Sequence, residues 1–320
     1  MDKIQESVCE FEALPREKSI GGGWIVKYKG FWCPEMLLQP TLSFQKHFIS
    51  KDSDILLATL PKAGTTWLKA LVFSIVHRNQ YSIDQSPLLT SNPHALVPFD
   101  HQLKHGKSET LYQENNTPSS PGVFATHLPY DALPNSIFKS KCKIVYLCRN
   151  PLDQFISQWH FVVQNVPQGK KAMPLNEALE LVFEGINIFG PFWEQIMGYW
   201  NASLECPNKV LFLKYEDLRK DDVFYVKKIA EFLGFPFGKE EEENGLIEEI
   251  TKLCSFRSLS NMEVNKHNKM HEKYPVKNSS YFRKGEVGDW LNYLTPEMAG
   301  RAARIIQEKF GDSGLTFEFV

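Results

Sequence analysis

Residues 56–69 read Leu56-Leu57-Ala58-Thr59-Leu60-Pro61-Lys62-Ala63-Gly64-Thr65-Thr66-Trp67-Leu68-Lys69, the pattern of a buried strand, a tight turn and the start of a helix. Ile55, Leu56 and Leu57 form a short apolar run behind Asp52 and Asp54, as in a strand entering a core. Pro61 has no N–H to give a ladder and ends the strand. Gly64 lets the backbone turn sharply and approach a ligand closely. From Thr65 onward Trp67, Leu68, Leu71, Val72, Ile75 and Val76 recur at helical spacing.

Such a turn aims free N–H groups and the positive end of a helix dipole at one place, which suits a phosphate group. Lys62, Thr65 and Thr66 add a cation and two hydroxyls. A nucleotide P-loop reads G-x-x-x-x-G-K-[ST], with its lysine after the second glycine. Here Lys62 precedes the only glycine and the loop is shorter. The stretch predicts a P-loop-like anion cradle not shaped for the β- and γ-phosphates of ATP. The plainer alternative is an ordinary strand–helix turn with a solvated lysine.

The chain has 320 residues, 42% hydrophobic and 13% aromatic, enough for one large globular domain or two small ones. A net charge of −2 argues against a nucleic-acid partner held by a broad basic face. Met1 to Glu6 lacks the apolar centre of a signal peptide. The longest apolar runs, such as Ala70 to Val76, are too short to span a bilayer. These features predict a soluble, cytoplasmic protein with no membrane partner. Cysteines at 9, 33, 142, 148, 206 and 254 form no Cys-x-x-Cys pair, so no metal site is expected from them. Cys142 and Cys148 flank an apolar strand and read as small core residues.

Further along, the same strand-then-loop unit recurs. Residues 1 to about 50 are mixed, with a flexible break at Gly21-Gly22-Gly23, and Trp24, Phe31 and Trp32 cover a core or line a pocket rim. Asp100 to Gly122 is polar and reads as a surface loop. Val123 to Thr126 suits a strand with His127 at its carboxyl end, where open α/β sheets hold their ligands. His127 is placed either as a general base or as the cap of a turn. Lys143 to Cys148 is a strong strand pattern, ended by Asn150-Pro151 and followed by a helix. Arg149 at its end suits bidentate phosphate binding, or pairs with an acid such as Asp153, and Ser157 faces the same cleft.

Phe192 to Tyr199 reads as an aromatic amphipathic helix, and Lys209 to Tyr215 as another strand. Strands alternating with helices predict an α/β fold with a central, mainly parallel sheet flanked by helices. Asn261 to Ser280 holds two histidines and four lysines and reads as a mobile loop. Arg283 and Lys284, ahead of Gly285, are either a clamp for a second phosphate or a basic surface turn. The last helix starts with Thr295 as N-cap and Pro296 as its first residue, and Gly311 ends it.

Three segments taken together resemble the soluble sulfotransferases: Leu60 to Lys69, Cys148 to Pro151 with Ser157 beyond, and Phe282 to Trp290. Thr126-His127-Leu128-Pro129 and Cys254-Ser255-Phe256 match as well, and the resemblance runs from about Trp24 to Phe310. Pro87 to His94, Gly190 to Glu194 and Lys252 to Lys266 look most like the plant branch.

The resemblance implies a single domain over 1–320, its first 45 or so residues packed on the core and a mobile loop at about 261–282 over the site. It also implies 3′-phosphoadenosine-5′-phosphosulfate (PAPS) as the donor and no metal. The 5′-phosphosulfate is expected on Lys62, Ala63, Gly64, Thr65, Thr66 and Trp67. The 3′-phosphate is expected on Arg149, Ser157, Arg283, Lys284 and Gly285, with Trp67 and Phe256 stacked on the adenine and Tyr215 touching it. His127 is the implied base, Lys62 the group that stabilises the departing phosphate, and Ser157 a hydroxyl that holds Lys62 back.

Plant relatives act on flavonoids, hydroxyjasmonates, brassinosteroids and desulfo-glucosinolates, which implies a small hydroxylated acceptor. Trp32 and Phe161 are candidate lining residues of an apolar acceptor pocket. Ala63 stands where many relatives have serine. The dimerisation segment of animal relatives finds no clear copy here, so a monomer or weak homodimer is expected. Two rival readings are a P-loop kinase, which the position of Lys62 opposes, and a nucleotide-binding module without chemistry, which Lys62 and His127 oppose.

Overall fold

The computed structural model describes residues 13–103, 121–167, 169–267 and 276–319. Its centre is a four-stranded sheet in the order β5-β4-β6-β7. The strands are β4 (Ile55–Thr59), β5 (Val123–Thr126), β6 (Lys143–Cys148) and β7 (Val210–Lys214), and every pairing among them is parallel. All five residues of β4 are buried. That explains a continuous apolar run where a half-exposed strand would alternate.

The two-residue period of a strand sends neighbours to opposite faces. Leu56 and Ala58 join one core, with Phe124, Ile144 and Tyr146. Ile55 and Leu57 join the other, with Ala125, Val145 and Leu147. The second core is covered by the helix Thr65–His77, the first by the helices Pro151–Asn165 and Phe192–Glu205. The architecture is therefore α/β, with a parallel sheet between helical layers. The chain leaves β4, forms β5 on one side, then crosses to form β6 on the other. The carboxyl end of β4 thus lies at the point where strand order reverses, the usual ligand position in such sheets.

One expectation for the connecting segments needs correction, and two lie largely or partly outside the described residues. The glycine run is no flexible break. It closes a hairpin in a second sheet, β1 (Arg16–Lys18), β2 (Trp24–Tyr28) and β3 (Phe31–Pro34), paired antiparallel. The Gly22 N–H donates to the Ser19 carbonyl at 2.8 Å, and Ile20, Val26, Phe31 and Cys33 enter the same core as Leu56. The polar stretch from Asp100 lies mostly outside the described residues, yet Asp100 itself is buried and accepts from the Thr126 hydroxyl at 2.9 Å.

The stretch from Asn261 also lies partly outside the described residues. Its described parts carry buried amides. Glu263–His267 is helical, and Asn265 accepts from Asn92 Nδ2 at 2.7 Å and donates to the Leu259 carbonyl at 2.9 Å. Asn278 donates to the Val264 carbonyl at 2.9 Å. The predicted last helix forms over Pro296–Phe310, with the Thr295 hydroxyl accepting the Met298 N–H.

Candidate active site

Each carboxyl end of the parallel strands delivers one part of a single cleft. After β4 the chain runs through Leu60 to Gly64 into the Thr65–His77 helix. Gly64 sits at φ 111°, and a methyl group there would come within 2.9 Å of both Leu147 Cδ2 and Tyr215 Cδ2. Glycine is required twice, by backbone conformation and by close approach. The N-cap residue, Gly64, has no side chain to cap this helix, an arrangement that suits an anionic ligand at its first N–H groups. Ala63 is buried, and its N–H donates to the Leu60 carbonyl. Gln154 donates to the Pro61 carbonyl from the neighbouring helix and fixes the loop.

Lys62 also has a positive φ, 69°. Its ammonium donates to the Ser280 carbonyl at 3.3 Å and lies 4.5 Å from the Phe161 ring centre. Burial, with Arg149 and Arg283 nearby, lowers its pKa to about 7. Among the described residues no hydrogen bond joins Lys62 to Ser157. The backbone of Ser280 takes the place expected for that hydroxyl. Ser157 is nevertheless buried on the Pro151–Asn165 helix that follows Arg149.

His127 follows β5. Its Nδ1 donates to the Thr59 carbonyl at 2.7 Å, which leaves Nε2 as the basic nitrogen. Burial lowers the imidazole to about 4; the Thr59 bond opposes this, and Lys69 adds to it. The ring is therefore neutral at pH 7. Phe99 and Phe189 lie 4.8 and 5.5 Å from it, centre to centre. The Thr59 hydroxyl is 2.7 Å from that of Thr65, so one residue ties the cradle to the imidazole.

The cationic end is built from β6 and the segment near residue 285. Arg149 donates to the Glu286 carbonyl at 2.6 Å and lies 4.7 Å from the Tyr215 ring centre. It is 3.9 Å from Asp153, the alternative partner foreseen for it. Asp153 accepts the N–H groups of Gly288 (2.7 Å) and Trp290 (3.1 Å) and so staples that segment to the helix. The Tyr215 hydroxyl donates to the Gly285 carbonyl at 3.1 Å, and its ring meets Trp67 edge-on at 5.4 Å. Gly285 has φ 68°, and a Cβ there would lie 2.6 Å from the Phe256 ring. Trp67, Tyr215, Gly285 and Phe256 thus form one continuous wall.

Arg283 and Lys284 are not free cations. Each holds Asp289 at 2.6 Å. Burial pushes that carboxyl up, but bonds from Lys284, Arg283 and Asn292 outweigh it and hold it at about 2. Even so, among the described residues Arg149 Nε, Arg283 Nε and His160 Nε2 are buried without a hydrogen-bond partner. Unpartnered buried donors are costly. Two guanidinium donors of this kind in a cluster containing Lys62 fit a group rich in anionic oxygens.

Several residues escaped the sequence reading. Thr59, His94 and Asp289 lay inside segments already singled out but were given no role there, and Phe99, Asp100 and Phe189 carried no periodicity or motif that set them apart. Phe189 is held by backbone pairing with Trp32, 2.7 Å from its N–H to the Trp32 carbonyl. Trp32 thus reaches the site through its backbone. Lys69 did carry a signal, a lysine within an apolar helix face, and it is fully buried.

Residues 52–314 match the Sulfotransferase domain family. Cytosolic sulfotransferase 15 of Arabidopsis thaliana is 45% identical over 97% of this chain and 87% of its own length. A crystal structure of an Arabidopsis thaliana protein provisionally named a steroid sulphotransferase is 39% identical, with a TM-score of 0.75, covering 99% of this chain and 97% of that one. Mouse sulfotransferase SULT7A1, complexed with PAP, is 25% identical with a TM-score of 0.67, covering 91% of this chain and 95% of that one. A family match over most of the chain, with relatives this similar across nearly all of it, settles its membership: the chain belongs to the sulfotransferase family, in the group of the plant cytosolic enzymes.

Proposed function

We propose that this chain, as one domain, moves the sulfuryl group of PAPS onto the hydroxyl of a small, largely apolar acceptor, with His127 as the base. The observation that carries this reading is convergence. Lys62 bonds Ser280, 218 residues further on, and feels the charges of both Arg149 and Arg283. One cleft therefore has a cradle at one end and a cationic clamp at the other, which fits a donor with anionic groups at both termini. PAP bound to the mouse relative supports the same assignment, and the relatives' names support a cytoplasmic location.

The cradle N–H groups, Thr65 and Thr66 bind the 5′-phosphosulfate. Arg149, Ser157, Arg283, Lys284 and the Gly285 backbone take the 3′-phosphate, and the wall of Trp67, Tyr215 and Phe256 takes the adenine. The acceptor hydroxyl lies between Phe99 and Phe189 and donates a hydrogen bond to His127 Nε2. As the acceptor oxygen bonds to sulfur, the bond from sulfur to the 5′-phosphate oxygen breaks. The proton ends on His127 and the electron pair on the phosphate. Lys62 leaves the Ser280 carbonyl to meet that growing charge, a preorganised electrostatic contribution.

The test is an acceptor screen with labelled PAPS, repeated with His127→Ala. A productive acceptor and a loss of roughly 10³-fold in kcat, with PAP affinity kept within about threefold, are expected. Undiminished turnover by His127→Ala would remove it as the base.

A further inference from the structure

Behind the cradle lies a chain of buried polar groups. The Lys69 ammonium donates to the Val97 carbonyl at 2.8 Å and is 3.1 Å from His94 Nδ1. His94 Nε2 is 2.9 Å from the Thr66 hydroxyl. Lys69 and His94 are almost without solvent contact, 0% and 4% exposed. Lys69 also lies 3.4 Å from the Phe99 ring centre, the ring that faces His127. No periodic or packing need calls for a lysine here, and burying one is expensive unless its donors are used.

We propose that Lys69 is a positioning residue which, through His94, turns the Thr66 hydroxyl into a hydrogen-bond donor aimed at the donor's anionic end. An ammonium can only donate. Lys69 therefore makes His94 Nδ1 the acceptor, and the single ring proton sits on Nε2. That N–H donates to Thr66 Oγ1. The hydroxyl proton of Thr66 then has no neighbour within the chain of groups to serve, and it points into the cradle. With the opposite tautomer, Nε2 would accept the Thr66 proton and show the anion a lone pair instead. Burial, with Lys69 and Lys62 nearby, lowers His94 and keeps the imidazole neutral; burial lowers Lys69 as well, with the Asp100 charge acting against it in favour of the ammonium.

This inference rests on the reading that the cradle holds the phosphosulfate, and its test separates the two. Nitrogen-15 NMR of the ligand-free protein, with the His94 signals assigned by their loss in His94→Gln, should show a protonated Nε2 and a bare Nδ1. A protonated Nδ1 overturns the proposal, whatever the chain binds. Calorimetry with PAP supplies the second arm. Lys69→Met and Thr66→Val should each weaken PAP about tenfold, the scale of one hydrogen bond to a charged group. The double variant should be no weaker than either single one, because both changes remove the same bond. Additive losses of about a hundredfold would reject the linkage. A wild-type chain that binds no PAP would sink the donor reading alone, and the tautomer would still decide the role of Lys69.

Discussion

The two ends of the cleft are finished to different degrees. At the end around His127 the polar contacts are made in advance. Thr59 fixes the imidazole, Asp100 holds Thr126, and His94 links Lys69 to Thr66. The imidazole is neutral and two aromatic rings pack against it. At the other end charge is in excess and bonds are missing: among the described residues Arg149 Nε and Arg283 Nε are buried without a hydrogen-bond partner. Under the proposed function the His127 end is the reacting end, and it gains from rigidity because its groups need no reorganisation at the moment of reaction. An anchoring end that is left electrostatically unsatisfied gains its contacts only when the anion arrives.

The sharpest way to break this contrast is Arg283→Ala. Arg283 shares Asp289 with Lys284 and Asn292, so the carboxylate keeps two partners after the change. PAP affinity should fall by roughly 10- to 100-fold, the range of charge-assisted bonds. The turnover rate at saturating donor should stay within about threefold. A fall in kcat with unchanged donor affinity would place Arg283 at the reacting end and erase the division.

A smaller effect follows from Lys62. Its pKa lies near 7 in the folded, ligand-free chain and near 10.4 in an unfolded one. Between these values the unfolded chain holds the extra proton, so stability should rise with pH across that window and the penalty should be complete below it. A bound dianion favours the ammonium and raises its pKa again. PAP binding should then take up close to one proton above pH 7, and affinity should drop by up to about tenfold per pH unit toward pH 9. Calorimetry in buffers of differing ionisation enthalpy reads that proton directly. Proton-neutral binding at pH 8 would show that Lys62 does not change its charge when the ligand binds, and would overturn this prediction.

How far the sequence foretold this site follows the same division. Cradle, imidazole and clamp sit at strand ends or at glycines, where local pattern and geometry coincide. The strand of Ile55 to Thr59, the turn at Gly64 and the helix beyond it were legible for that reason. Asp289 was not. Its role depends on meeting Arg283 and Lys284 across a turn, and nothing in the spacing distinguishes a buried carboxylate from a solvated one. His94 was equally silent, because its partners Lys69 and Thr66 lie 25 and 28 residues away. The hairpin at Gly22 was misread because short edge strands such as Arg16–Lys18 carry too little periodicity to register. Backbone pairings such as Trp32 with Phe189 leave no trace in side-chain pattern at all.

The mildest test concerns Ala63, where the resemblance led one to expect a serine. Its methyl group is buried and its N–H is already committed to the Leu60 carbonyl. The cradle's remaining N–H groups come from the helix start, which the Gly64 turn positions whatever side chain precedes it. Ala63→Ser therefore adds at most one hydroxyl contact to an anion that is already surrounded. The gain in PAP affinity should not exceed about fivefold, the worth of a single hydrogen bond. A much larger gain, read by the same calorimetry, would mean that the cradle is the under-supplied end of the cleft, and would reverse the contrast between a completed reacting end and a waiting anchor.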